Sequence, residues 1–223
     1  MKREQVIKAL QFRDVETVPH VFGFTHEAEE KLRSHYGADY PALLNNYMAS
    51  VGPQAPGEWR EIEPGVFADE WGVEWDRTVD KDIGVPRNCL FPEPDMKFWK
   101  PPPVDGGRFD RIPANIAAHE GVFIIAGIGF SLYERAWTLR GLQNLLMDFV
   151  VNPGFVHRLL DAIADWNVQV VRRLADIDGI DMIHFGDDWG TQRGLMMGPQ
   201  IWRDFIAPRL KKMYGAVKKA GKF

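Results

Sequence analysis

The chain has 223 residues, 45% of them hydrophobic, a formal net charge of -4 and a pI of about 5.9. These totals permit a sizeable buried core and a single domain over residues 1–223, and they exclude the basic field that draws nucleic acid. The one cysteine, Cys89, excludes an internal disulfide. The apolar run over residues 121–130 is far too short for a membrane span. No apolar leader follows Met1, so a cytoplasmic protein with no membrane or nucleic-acid partner is expected.

Residues 2–12 carry Val6, Ile7 and Leu10 at helical spacing. Val18–Phe22 is expected as a first strand, with Thr25 capping a helix that ends near Gly37 and a further short helix over 40–48. From about 50 to 113 proline and glycine are dense, and short alternating runs at 59–63, 66–69 and 71–75 predict small strands around turns. This stretch is expected to leave the main fold and partly cover a mouth. Order returns with a helix over 109–119. Val122–Ala126 then forms a strand that is apolar on both faces, as burial between helix layers requires. Ser131 is expected to cap the helix of Tyr133, Glu134 and Trp137. A short helix from Gly141 and a long one with Phe155, Leu159, Ile163, Trp166 and Val170 on its apolar stripe come next. After Pro199 an amphipathic helix runs to Gly221, and Lys222-Phe223 begins a strand.

Between the last two helices, Met182–Phe185 is a short apolar run that changes abruptly into Gly186-Asp187-Asp188-Trp189-Gly190-Thr191-Gln192-Arg193-Gly194. A strand between helices is a β/α unit, and its carboxyl end is where such folds place chemistry. Asp187 and Asp188 have two readings. They share a proton, bind a substrate cation or position Arg193; or one caps the following turn while the other pairs with Arg193. By the period of two, His184 shares a face with Met182 and points inward, with Phe185 outward. A packed core histidine is the simpler reading of His184 than a metal ligand. His20 is similar, although two strand-end histidines can share a metal. Tyr133 either donates to an anionic or carbonyl group or packs on the helix layer. Met196 lines a flat ligand or fills the core. Gly127-Ile-Gly129 falls short of a nucleotide-binding glycine pattern.

Gly127-Ile-Gly-Phe-Ser-Leu-Tyr133, Phe185–Gly194, the opening helix and Asp14–His20 together resemble the uroporphyrinogen decarboxylase family in its broad sense, which includes cobalamin-dependent methyltransferases. The resemblance extends across the chain, best from Phe109 onward, but only to about the N-terminal two thirds of the family. It implies an α/β fold, a (β/α)8 TIM barrel truncated after about the first five units, with residues 50–113 as an excursion. An unpaired barrel edge is a liability, so the chain is expected to continue beyond Phe223, or else another subunit covers the edge.

What the resemblance implies for function is a corrinoid-dependent methyltransferase-type enzyme that moves a methyl group to or from a thiol or small methylated substrate, with a corrinoid protein as partner. Zinc and a corrinoid are expected for a full-length relative of that type. The His-x-Cys pair that would hold the zinc is missing here, so no metal site is expected within these residues. The alternatives are decarboxylation of uroporphyrinogen-like tetrapyrrole carboxylates and non-catalytic binding of a tetrapyrrole or small ligand. The arginines that grip carboxylates in the decarboxylase branch have no counterpart at His20–Thr25, and Asp188 stands where those enzymes have a serine. Asp187, Asp188 and Tyr133 are the expected catalytic residues. Substrate contacts are expected from His184, Gln192, Arg193, Phe130, His20 and Met196.

Overall fold

The computed structural model describes residues 1–105 and 107–223. In chain order its elements are α1 (Lys2–Leu10), α2 (His26–Tyr36), α3 (Tyr40–Leu43), β1 (Met48–Val51), β2 (Arg60–Glu63), β3 (Val66–Ala68), β4 (Glu74–Asp76), β5 (Val85–Pro86) and α4 (Ile112–Ala117). There follow β6 (Phe123–Ile128), α5 (Tyr133–Arg140), α6 (Leu142–Val151), α7 (Pro153–Ala175), β7 (Met182–Phe185), β8 (Gly190–Thr191), β9 (Gly194–Leu195) and α8 (Pro199–Ile201). A π-helical turn, Trp202–Ile206, leads into α9 (Ala207–Lys219).

The central sheet is parallel, in the order β1-β6-β7. β6 lies in the middle because it alone is apolar on both faces. Phe123 and Ile125 face α1, where they meet Val6, Ile7, Tyr47, Met48 and Met182. Ile124, Ala126 and Ile128 face the other way, into the main core formed with α5, α6, α7 and α9. The long stripe of α7 supplies much of that core: Leu159, Leu160, Ile163, Val170 and Leu174 are fully buried. Each such side chain contributes about 1.5–3 kcal/mol relative to exposure.

The expected TIM barrel does not form. Among the described residues the strands make three separate sheets, β1-β6-β7, β2-β3-β4-β5 and β8-β9, and none closes. A barrel needs a continuous ring of tilted, paired strands, and the parallel sheet here has only three strands among the described residues. Residues 18–22, expected as the first strand, form no ladder. They meet the segment before β1 through the Tyr47 N–H, which donates to the His20 carbonyl at 2.9 Å, and through the Asn46 side chain on Phe22. At the other edge Phe223 pairs along β7, its N–H on the Asp181 carbonyl and its carbonyl on the Ile183 N–H, both at 3.0 Å.

The helix expected over 40–48 stops at Leu43. Asn45 has a left-handed φ of 51°, which a helix does not tolerate, and Met48–Val51 joins the sheet against β6 instead. Local propensity loses here to tertiary pairing.

Residues 60–86 form the antiparallel sheet β2-β3-β4-β5. It is tied to the main core rather than merely lying over it, since Trp71, Val73 and Trp75 are buried in the same apolar cluster as α5 and α7. Among the described residues no helix is long and apolar enough to cross a membrane.

Candidate functional site

The carboxyl ends of β6 and β7 are stitched together beyond their ladder. Gly186 N–H donates to the Ile128 carbonyl at 2.8 Å, and Ser131 N–H donates to the Gly186 carbonyl at 2.9 Å. This seam delivers Asp187 to the start of α5. The Leu132, Tyr133 and Glu134 N–H groups donate to its carboxylate at 3.4, 3.0 and 2.7 Å, and the Trp189 indole donates at 2.5 Å. Asp187 therefore caps a helix more than fifty residues away. Ser131, expected in that role, makes no cap bond, and its Oγ is buried without a partner among the described residues. The physical reason is that a helix start leaves several N–H groups unpaired, and an anion there gains from the helix dipole as well.

Asp188 does something different. It is exposed and accepts the Gly190 N–H at 3.1 Å, bracing its own turn. Among the described residues neither aspartate pairs with Arg193, which sits with Gln192 at the exposed tip of the β8-β9 hairpin.

Burial, opposed by those hydrogen bonds, pushes the Asp187 carboxyl above the usual range. Tyr133 is fully buried, its ring 6.4 Å from Phe149, and its hydroxyl has no partner among the described residues. Burial first, then the charges of Asp187 and Asp188, push that hydroxyl up to about 12. The same causes raise the half-buried Glu134 carboxyl to about 6, against the Asp188 N–H and the charge of Arg135. Burial thus moves the Glu134 carboxyl toward neutrality.

The structure brings the nominated Asp187, Asp188 and Tyr133 together with Glu134, which was not nominated. His184 does share a strand face with Met182, opposite Gly127 in register, but the open sheet leaves it exposed rather than packed. His20 has Nδ1 3.3 Å from the Val18 carbonyl and Nε2 3.2 Å from that of Leu44, beside Tyr47 and Phe22. Phe130 turns onto Trp75 with centroids 4.8 Å apart, and Met196 packs against the main core. Trp189 was not singled out from sequence. The signal was present, since a tryptophan two residues after an aspartate can reach back to it.

A second polar cluster, also missed, lies where the β2-β5 sheet meets α5 and α7. Asp69 accepts the Trp71 and Val73 N–H groups at 2.9 Å, the Trp75 indole at 3.2 Å and Arg135 Nη1 at 2.6 Å. Nearby, Arg108 forks onto Glu70 at 2.8 and 2.5 Å.

Glu58, beside this cluster, accepts the Ala55 N–H at 3.2 Å. Burial first, then the charge of Glu70, raise its carboxyl to about 7. The folded chain therefore holds this proton more tightly than the unfolded chain. The resulting stability is complete below pH 4.5, the ordinary value, and is lost as pH rises through about 7. Glu58→Gln is expected to flatten that decline and to stabilise the chain at pH 8 by about 1 kcal/mol, a figure discounted for partial solvent access. Urea titrations of both forms at pH 5 and pH 8 check it; parallel pH slopes would show the carboxyl to be freely solvated.

Among the described residues no group of three or more His, Cys, Asp or Glu is arranged to hold a metal ion. The one thiol, Cys89, lies against the Phe91 and Arg140 carbonyls at 3.3 and 3.2 Å. The donors present do not make a zinc site of the kind a methyltransferase-type relative would need.

Residues 122–222 match the family model described as uroporphyrinogen decarboxylase (URO-D). The match begins at β6, takes in β7 with the whole Asp187 seam, and ends after α9. Among solved structures, a methyltransferase from Methanosarcina mazei has a similar fold, with a TM-score of 0.66 at 14% identity, covering 97% of this chain and 67% of that chain. No curated protein matches the chain.

These findings correct the extent of the resemblance. The family match lies in residues 122–222 and leaves out the opening helix and Asp14–His20. The likeness in fold runs over nearly the whole chain, so it is not confined to an N-terminal two thirds. Together they give a sequence match to the uroporphyrinogen decarboxylase model over residues 122–222 and a fold shared with a methyltransferase, without assigning a reaction.

Proposed function

We propose that this chain belongs to an enzyme that removes CO2 from a pyrrole-type carboxylic acid, with tetrapyrrole acetates as the model substrates, and that Glu134 supplies the proton. The observation that carries this reading is the titratable Glu134 carboxyl on the Asp187-capped start of α5, inside the stretch that matches the URO-D family. That match is one of sequence, whereas 14% identity to a methyltransferase speaks for fold alone.

The chemistry asks for an acid. Protonation of a pyrrole ring carbon turns the ring into an electron sink. The carbon–carbon bond to the carboxylate then breaks, releasing CO2 and leaving an exocyclic double bond. A proton on that exocyclic carbon and loss of the ring proton restore the pyrrole. The net change is one proton taken up and one CO2 released. Glu134 is protonated below about pH 6, so the rate is expected to fall as pH rises through that value. Asp187 holds Glu134 in place.

Incubation with uroporphyrinogen under reducing conditions, followed by chromatography of the oxidised products, tests the reading. The wild-type chain is expected to yield products with fewer carboxyl groups, and Glu134→Gln to slow their formation about 100-fold. Equal rates for the two would remove Glu134 from the chemistry.

A second reading, binding of a tetrapyrrole or small ligand without turnover, is favoured by the saturation of Asp187 by four donors. Porphyrinogen bound but recovered unchanged would select it. Neither binding nor CO2 release would overturn both.

A further inference from the structure

A cavity of about 240 Å³ lies between the residues before β2, the loop after β6 and the middle of α7. Its size suits a fragment rather than a drug-sized ligand. Glu58, Glu70 and Arg135 bring charge to its wall, Trp59, Trp166 and Phe130 bring aromatic surface, and Ser131 and Asn167 bring uncharged polar groups.

The charges do not balance within the wall. Glu70 is matched by Arg108, held bidentately, and Arg135 is matched by Asp69. Among the described residues Glu58 makes no ion pair; its one side-chain hydrogen bond is from the Ala55 N–H, and the nearby Arg108 is held by Glu70. The uncharged groups are equally incomplete. Asn167, 1% exposed, gives its amide N–H to the Ser131 carbonyl, which leaves its Oδ1 buried without a donor. Ser131, also 1% exposed, has an unpartnered Oγ. Buried polar atoms of this kind cost free energy unless something pairs with them.

We propose that this cavity binds a small organic ammonium ion, whose N–H groups reach the Glu58 carboxylate and the Asn167 Oδ1 while its alkyl part lies against Trp59, Trp166 and Phe130. An ammonium ion supplies what the wall lacks, one positive charge and several donors, and aromatic faces favour a cation further. An anion fits poorly, because both arginines near the cavity already hold carboxylates and Glu58 and Glu70 repel it. The Arg135 Nε–H is buried with no acceptor among the described residues. This site shares the β6 loop with the Asp187 seam, but it does not depend on the decarboxylase reading.

Calorimetric titration of the folded chain at pH 8 with n-butylammonium, n-butanol and butyrate tests the proposal. Butylammonium is expected to bind with a dissociation constant on the order of 1 mM, as befits so small a ligand. Butanol and butyrate are expected to bind at least about 10-fold more weakly, a difference set by charge. Glu58→Gln should weaken butylammonium by a similar factor while leaving a cooperative urea transition.

A second measurement needs no variant. The groups facing Glu58 are Glu70, Asp69 and Arg108. An arriving cation should displace the Glu58 proton, so that the binding heat depends on the buffer at pH 6.5 and not at pH 9. Equal affinity for butanol or butyrate, no saturation by butylammonium in the millimolar range, or binding undiminished in a folded Glu58→Gln chain would each overturn the proposal.

Discussion

Replacing Asp69 by alanine is expected to lower the unfolding free energy by about 4 kcal/mol. Asp69 and Arg135 are both buried, and the contact between them is 2.6 Å long. A buried pair gains little over a well-packed apolar pair. Removing one partner, however, leaves the other charge uncompensated in a poorly solvating interior. Asp69 also accepts two backbone N–H groups of the turn before β4 and the Trp75 indole, and those donors would be stranded as well.

The double variant Asp69→Ala, Arg135→Met separates the two costs. It should recover about half of the loss, because the orphaned charge is gone while the orphaned donors remain. Urea unfolding of wild type, single and double variants checks this. A double variant no more stable than Asp69→Ala would mean that Arg135 finds solvent once released.

Asp187→Ala is the second, with an expected loss of about 3 kcal/mol. A good cap alone contributes about 1 kcal/mol. Here three N–H groups of one helix start and the Trp189 indole converge on one carboxylate, and unpaired buried donors add to the cost. Asp188→Ala serves as the contrast, with an expected change within about 0.5 kcal/mol, since its one bond braces an exposed turn. The same urea titrations compare the two. Similar losses would show that the seam does not depend on the cap. The Asp187 variant should also lose the raised titration of Glu134, because the helix start that holds that carboxyl would fray; carboxyl NMR titration reads this directly.

These two aspartates differ in how far they were legible in the sequence. Asp187 stood out because it follows a short apolar strand and opens a glycine-rich loop. Its partner did not, since the cap bridges residues 132–134 and 187, and no local pattern encodes a contact of that range. Ser131 was the better local candidate for the cap. It lost because the β6-β7 register places a full charge at the helix start, where a hydroxyl supplies only a dipole. Asp69 was invisible for a related reason. Its neighbours alternate like any small strand, and its importance comes from Arg135, brought to it across the interface of the antiparallel sheet with α5.

Periodicity and punctuation in the sequence were enough to find the long helix from Pro153, the strand Met182–Phe185 and the apolar strand expected at Val122–Ala126, which runs Phe123–Ile128, because each carries its own apolar pattern and its own glycine or proline boundary. Tertiary structure alone decided three things. Met48–Val51 is a strand because β6 offers it a ladder. The strands stop at an open parallel sheet because pairing, unlike periodicity, depends on neighbours far away in the chain. Charges at residues 58, 69, 70, 108 and 135 meet because one antiparallel sheet and two helices, α5 and α7, pack together, and it is that packing, by removing water, that gives those charges their energetic weight.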